Sequence, residues 1–121
     1  MDLFMLSELI GFAKSDILEI EGRLFIDHDN LGLEAFRNKI AEHASVAEAQ
    51  YWMNILLLKS YIDNIVGDDW EFTDERAKSI LKSLQSAWTF QINAKYPNAI
   101  FRIDTFIDEE ANDFGLWLRQ D

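Results

Sequence analysis

The residues that decide the fold class are 100–121, IFRIDTFIDEEANDFGLWLRQD, which follow the single proline of the chain, Pro97. Their side chains alternate in type along two segments: Phe101, Ile103, Thr105 and Ile107 with Ile100, Arg102, Asp104 and Phe106, then Phe114, Leu116 and Leu118 with Gly115, Trp117 and Arg119. A period of two is typical of β-strands, whose successive side chains point to opposite faces of a sheet. The acidic residues 108–113 predict a connecting loop of about six residues, so the two segments form an antiparallel hairpin.

This hairpin has apolar residues on both faces, and an isolated hairpin is only marginally stable in water. One face is therefore expected to pack on helices. The other needs a cover as well: further helices, a third strand, for which residues 17–26 are a candidate, or another copy of the chain.

Helical periodicity dominates the sequence before Pro97. Thr73 as N-cap, followed by acids in the first turn, predicts a helix that ends near Tyr96. Ser45 and Glu48 have the spacing of a capping box and predict the start of a long helix that Gly67 terminates. A shorter helix is expected from Leu31 to about His43, and residues 31–66 are either two helices or one kinked helix.

The N-terminal segment has two competing interpretations. Apolar residues recur at spacings of three and four, which favours a helix up to about Glu21: Leu3, Leu6, Ile10, Ala13, Ile17, Ile20 and Leu24. The alternative is a hairpin in which Ile17–Ile20 pair with Leu24–Ile26 around Glu21 and Gly22. We favour the helix here.

Length and composition predict one domain, residues 1–121, of the α+β class. The expected architecture is three to four helices packed on a C-terminal antiparallel β-hairpin or small sheet. Hydrophobic residues make up 49% of the chain, which is enough to bury a core, and cysteine is absent. The lack of cysteine excludes disulfides and thiolate metal sites. With no signal-peptide pattern and no apolar run of about 20 residues, we expect a soluble, cytoplasmic protein.

The net charge of −11 comes from 22 acidic and 11 basic residues. Phosphate binding needs clustered Lys and Arg, so we expect no nucleic-acid partner, and anionic membrane surfaces are disfavoured for the same reason. A basic protein partner is favoured electrostatically.

Motifs for catalysis, metal binding and phosphate binding are missing from the sequence, so we expect no enzyme, no metal and no cofactor. Residues 27–32 imitate the start of a calcium loop, with acids at the first and third positions and glycine at the sixth. Leu31 stands at the fifth position, where the loop needs an oxygen ligand, and Asn38 at the twelfth, where a bidentate Glu is expected. A helix-capping turn explains the same residues.

Charge is segregated along the chain. Six acids and no base lie between Lys59 and Arg76, and five acids and no base lie between Arg102 and Arg119. The helix between these two acidic segments is basic. The candidate partner-binding residues are Asp68, Asp69, Trp70 and Glu71 in the first segment and Asp108, Glu109, Glu110 and Asp113 in the second. The competing interpretation is that these runs are merely solvated.

Three functional hypotheses follow from these features. The first is a non-enzymatic acidic binding protein, such as an immunity protein or inhibitor that neutralises a basic partner like a nuclease toxin. The second is a structural or assembly protein that forms a homodimer or larger oligomer through a sheet edge or the basic helix. The third is a function in a pocket between the helices and the hairpin, which would need a buried carboxylate or histidine there.

Overall fold

A computed structural model of the chain describes residues 10–11, 13–27, 29–58, 74–110 and 113–120. Over these residues the protein is a mixed α+β fold with three helices and two small antiparallel sheets. In chain order the elements are β1 (Asp16–Ile20), β2 (Arg23–Asp27), α1 (Leu33–Ile40), α2 (Val46–Met53), β3 (Ile55–Leu57), α3 (Asp74–Lys95), β4 (Arg102–Asp108) and β5 (Asp113–Arg119).

The C-terminal hairpin of β4 and β5 is confirmed. Ile103 stands opposite Leu118, and Asp108 opposite Asp113, so the turn is residues 109–112 and is shorter than expected. A third strand does extend the hairpin, but it is β3 and not residues 17–26, and the strand order is β3-β5-β4.

Residues 16–27 form the hairpin of β1 and β2, as in the alternative interpretation, so the prediction that a helix continues to Glu21 is wrong from Asp16 onward, whereas Ile10, Gly11 and Ala13 are helical. The two-residue turn places Glu21 at φ 51° and Gly22 at φ 78°. Two positive φ values give a turn whose twist matches that of the flanking strands. β2 lies between two cores: Leu24 belongs to the main core and Phe25 to a smaller one. Burial on both faces removes the alternation that identifies a strand in sequence.

The long helix expected from Ser45 to Gly67 is also wrong, because α2 ends at Met53 and β3 follows. Its start is correct: the Ser45 hydroxyl accepts a hydrogen bond from the Glu48 backbone amide at 3.1 Å. α1 and α2 are separate helices, joined by residues 41–45. Gly67 itself lies outside the described residues.

The helix predicted before Pro97 is confirmed as α3, while its expected cap, Thr73, lies outside the described residues. One side of α3 is buried in the main core, through Ala77, Leu81, Leu84, Trp88 and Ile92. The same core takes Phe114, Leu116 and Leu118 from β5. The three-stranded sheet therefore packs one face on α3. The smaller core joins β1 and β2 to α1 and α2 through Ile20, Phe25, Phe36, Ile40 and Ala49.

Buried amide side chains connect the two sheets. Asn54, 3% exposed, donates through Nδ2 to the carbonyl oxygens of Leu24 and Leu118 and accepts through Oδ1 from the Ile26 amide. Gln50, also 3% exposed, donates to the Leu24 carbonyl and to Gln120 Oε1. We refer to Gln50, Asn54 and Gln120 as the amide bridge. It satisfies strand-end groups of β2 and β5 that burial would otherwise leave unpaired.

Candidate functional site

The turn between β4 and β5 carries the part of the predicted site that reaches solvent. Glu109 and Glu110 are exposed, and Asp108 before them is half-buried. Neither glutamate forms an ion pair with any residue in the described part of the chain. We call Glu109 and Glu110 the acidic tip. It presents two carboxylates whose charge the fold does not neutralise.

Asp113 does not belong to this exposed group, although the sequence placed it there. It is 1% exposed, and its Oδ1 accepts a hydrogen bond from the Phe114 amide at 2.7 Å. The carboxylate is thus turned toward the backbone at the start of β5, and a role of Asp113 in partner binding stays a prediction.

The other four candidate residues, Asp68, Asp69, Trp70 and Glu71, lie outside the described residues. Their role in partner binding therefore stays a prediction. Phe72 lies in the same segment.

The aromatic residues that flank the second acidic segment serve the fold. Phe114 is 7% exposed and belongs to the main core. Phe106 stands opposite Gly115, and its ring occupies the space that a side chain at position 115 would need. Sequence reasoning could not find this role of Phe106, because it depends on the cross-strand register.

The face of the three-stranded sheet turned away from α3 holds a cluster that sequence reasoning missed. Trp117 lies at its centre: the Tyr51 ring packs edge-on at 4.5 Å between centroids, and the Arg119 guanidinium carbon lies 4.3 Å from the indole centroid. Asp104 accepts from both Arg102, at 3.1 Å, and Arg119, at 3.2 Å. These two arginines are thus paired with Asp104, whereas Glu109 and Glu110 form no ion pair with the described residues.

The loop that resembles the start of a calcium site is a turn held by Asp27 just before α1, but the predicted helix cap is not formed, since no side chain caps the N-terminus of α1. Asp27 is 4% exposed, and its two carboxylate oxygens accept from the amides of Leu31, at 2.8 Å, and Gly32, at 2.9 Å. Over the residues that the structure describes, no three His, Cys, Asp or Glu side chains come together as a metal site.

Two open depressions border β4. One, of about 920 Å³, lies between α3 and residues 99–103, and Gln85, Thr89, Phe90, Ile100 and Ile103 contribute to its lining. Neither a carboxylate nor a histidine lines it. The second, of about 710 Å³, includes Gln85, Thr105 and Trp117 and so extends round the outer edge of β4. Its one carboxylate, Asp104, is the residue paired with two arginines.

Comparison with protein-family models, with curated proteins and with solved structures finds no match to the chain. Among the described residues, none of the helices is both long enough and apolar enough to cross a membrane.

Proposed function

We propose that this chain is a non-enzymatic acidic binding protein that inhibits a basic protein partner, such as a nuclease toxin, in the manner of an immunity protein. The observation that carries this proposal is the acidic tip. Glu109 and Glu110 are exposed where β4 ends and form no ion pair with the described residues.

The contrast with two paired carboxylates supports the proposal. Asp104 has two arginine partners and Asp16 has Lys95 at 3.4 Å. A carboxylate that already forms an ion pair gains little binding free energy from a second cation. An exposed carboxylate without an ion pair gains more when the cationic surface of a partner covers it.

The net charge acts at longer range. At −11 the chain attracts a basic protein before contact and raises the association rate at low ionic strength. A nuclease that binds phosphate with clustered Lys and Arg offers the complementary surface. Covering that surface would exclude its nucleic-acid substrate.

The test compares two double variants that change the net charge equally. Glu109→Lys with Glu110→Lys reverses the acidic tip, whereas Glu34→Lys with Glu42→Lys reverses two exposed acids in and just after α1. The wild type and each double variant are used as bait to capture binding proteins from the native source of the chain. Each is then titrated calorimetrically with the purified basic protein that the wild type retains. We expect the tip variant to bind at least about tenfold more weakly than the α1 variant.

Inhibition of the captured protein's nuclease activity is the second readout. Equal losses of affinity and of inhibition in the two double variants would show that the net charge acts without a defined binding site. Capture of no basic protein, or binding that is independent of salt, would contradict the proposal itself.

A further inference from the structure

Among the strands that the structure describes, none pairs with the outer edge of β4. β5 is the central strand, so β4 has a neighbour on one side. The Leu118 amide donates to the Asn54 carbonyl beside β3, so the backbone groups of Leu118 point away from β4. Its cross-strand partner Ile103 therefore points its own backbone groups outward, and by alternation so do Thr105 and Ile107.

This edge is partly protected at one end. The Gln85 side chain donates to the Ile103 carbonyl at 2.5 Å, which confirms that this carbonyl points away from β5. Thr105 and Ile107 have no such partner among the described residues. An exposed strand edge of this kind pairs readily with another strand.

We propose that this chain forms a homodimer in which the β4 edges of two copies pair antiparallel about a two-fold axis at Thr105. This register brings the outward-pointing groups of Thr105 in the two copies together, and sets Ile103 of one copy opposite Ile107 of the other. The two three-stranded sheets become one continuous sheet, and the interface is the same patch on both copies.

Charge complementarity favours this register. With the axis at Thr105, Arg102 of one copy, which also pairs with Asp104 of its own chain, stands opposite Asp108 of the other, and the symmetry repeats the contact. Opposite charges directly across a strand pair stabilise it, whereas like charges oppose it. The sequence RIDTFID of β4 is thus self-complementary at both ends.

Apolar complementarity supports the same register. Ile107 is 59% exposed, although it shares a sheet face with the buried Ile103. Cross-strand partners project on the same face, so Ile107 of the second copy would enter the depression of about 920 Å³ beside Ile103. Phe90, 75% exposed, and Ile100, 89% exposed, contribute to its walls and would be covered in the dimer.

The test is the molar mass of the full chain by light scattering and sedimentation equilibrium, from low micromolar to millimolar concentration. We expect twice the 14.1-kDa mass of the chain. Thr105→Pro removes an outward N–H without removing a hydrogen bond to β5, so this variant is expected to keep its circular-dichroism spectrum and to be monomeric. Ile107→Asp is expected to be monomeric as well, and it tests the interface if the proline variant does not fold.

Trp52→Ser is the matched control, because Trp52 is also 59% exposed but lies on α2. It is expected to dimerise like the wild type. Arg102→Asp and Asp108→Arg should each weaken the dimer about tenfold, and the double variant should recover most of the affinity because the charges are exchanged.

A wild type that stays monomeric at millimolar concentration would overturn the proposal. So would a folded Thr105→Pro or Ile107→Asp variant that remains dimeric, or a charge-exchanged double variant weaker than both single variants. These outcomes are separate from partner binding, because every dimer variant leaves Glu109 and Glu110 unchanged.

Discussion

Gly115 shows how one residue type is fixed by a neighbour across the sheet. It lies in β5 opposite Phe106, and a methyl group at position 115 would overlap the Phe106 ring. The aromatic ring covers the glycine and takes the place of its missing side chain, an arrangement known to support glycines in sheets.

We therefore expect Gly115→Ala to lower the free energy of unfolding by about 1–3 kcal/mol, because the Phe106 ring must leave its position. Urea denaturation measures the change. Gly11→Ala is the control: a methyl group there meets no atom within 4 Å, so its effect should be small.

The variant Phe106→Ala should itself be destabilising, since it uncovers the sheet. Adding Gly115→Ala to it should then cost much less than in the wild type, because the obstructing ring is gone. Additive effects of the two substitutions would contradict the proposed overlap.

At the scale of elements, the two sheets depend on the amide bridge. Asn54 uses its amide group as both donor and acceptor, toward β2 and β5. Asn54→Asp keeps the shape and the acceptor but replaces the donor with a carboxylate beside two carbonyl oxygens. We expect a loss of roughly 3 kcal/mol in the free energy of unfolding, since a buried charge without a donor partner is strongly unfavourable.

Asn93→Asp makes the same chemical change at an exposed position of α3 and should cost less than about 1 kcal/mol. Thermal and urea denaturation of both variants at neutral pH provide the comparison. Similar losses in the two variants would show that the amide bridge does not hold the sheets together.

Elements with strong local signals could be predicted from the sequence. α3 has acids in its first turn and Pro97 just beyond its end, and the C-terminal hairpin has a clear period of two. β3 could not be predicted, because the run Ile55–Leu58 has no period and becomes a strand by pairing with β5. β1 was misassigned because the spacing of Ile17 and Ile20 fits a helix as well as a strand.

The candidate site, too, could be predicted only in part from the sequence. The acidic character of residues 108–113 is visible in the sequence, whereas the burial of Asp113 and the exposure of Glu109 and Glu110 depend on the turn. The cluster around Trp117 depends on contacts between α2, β4 and β5, which are distant in sequence. Composition shows how much charge there is, but only the fold shows which charges are paired.

At the scale of the whole molecule, salt should act in opposite directions on the two proposed associations. Two copies of a chain with a net charge of −11 repel each other, so screening should strengthen the homodimer. The same screening should weaken binding to a basic partner.

Raising the salt concentration from about 0.05 M to about 0.5 M shortens the Debye length severalfold. We expect the dissociation constant of the homodimer to fall and that of the complex with a basic protein to rise, as measured by sedimentation equilibrium and calorimetry. A shift of both dissociation constants in the same direction would contradict the view that net charge opposes the homodimer and favours the complex with a basic protein.

The amide bridge also bears on the order in which the protein is completed during synthesis. The Leu24 amide donates to the Gln120 side chain, 96 residues later in the chain. A ribosome adds about 5–20 residues per second, so the β1–β2 hairpin waits on the order of ten seconds for this acceptor. During that interval the Leu24 amide lacks its native acceptor, whereas the Leu24 carbonyl and the Ile26 amide can already bind Gln50 and Asn54.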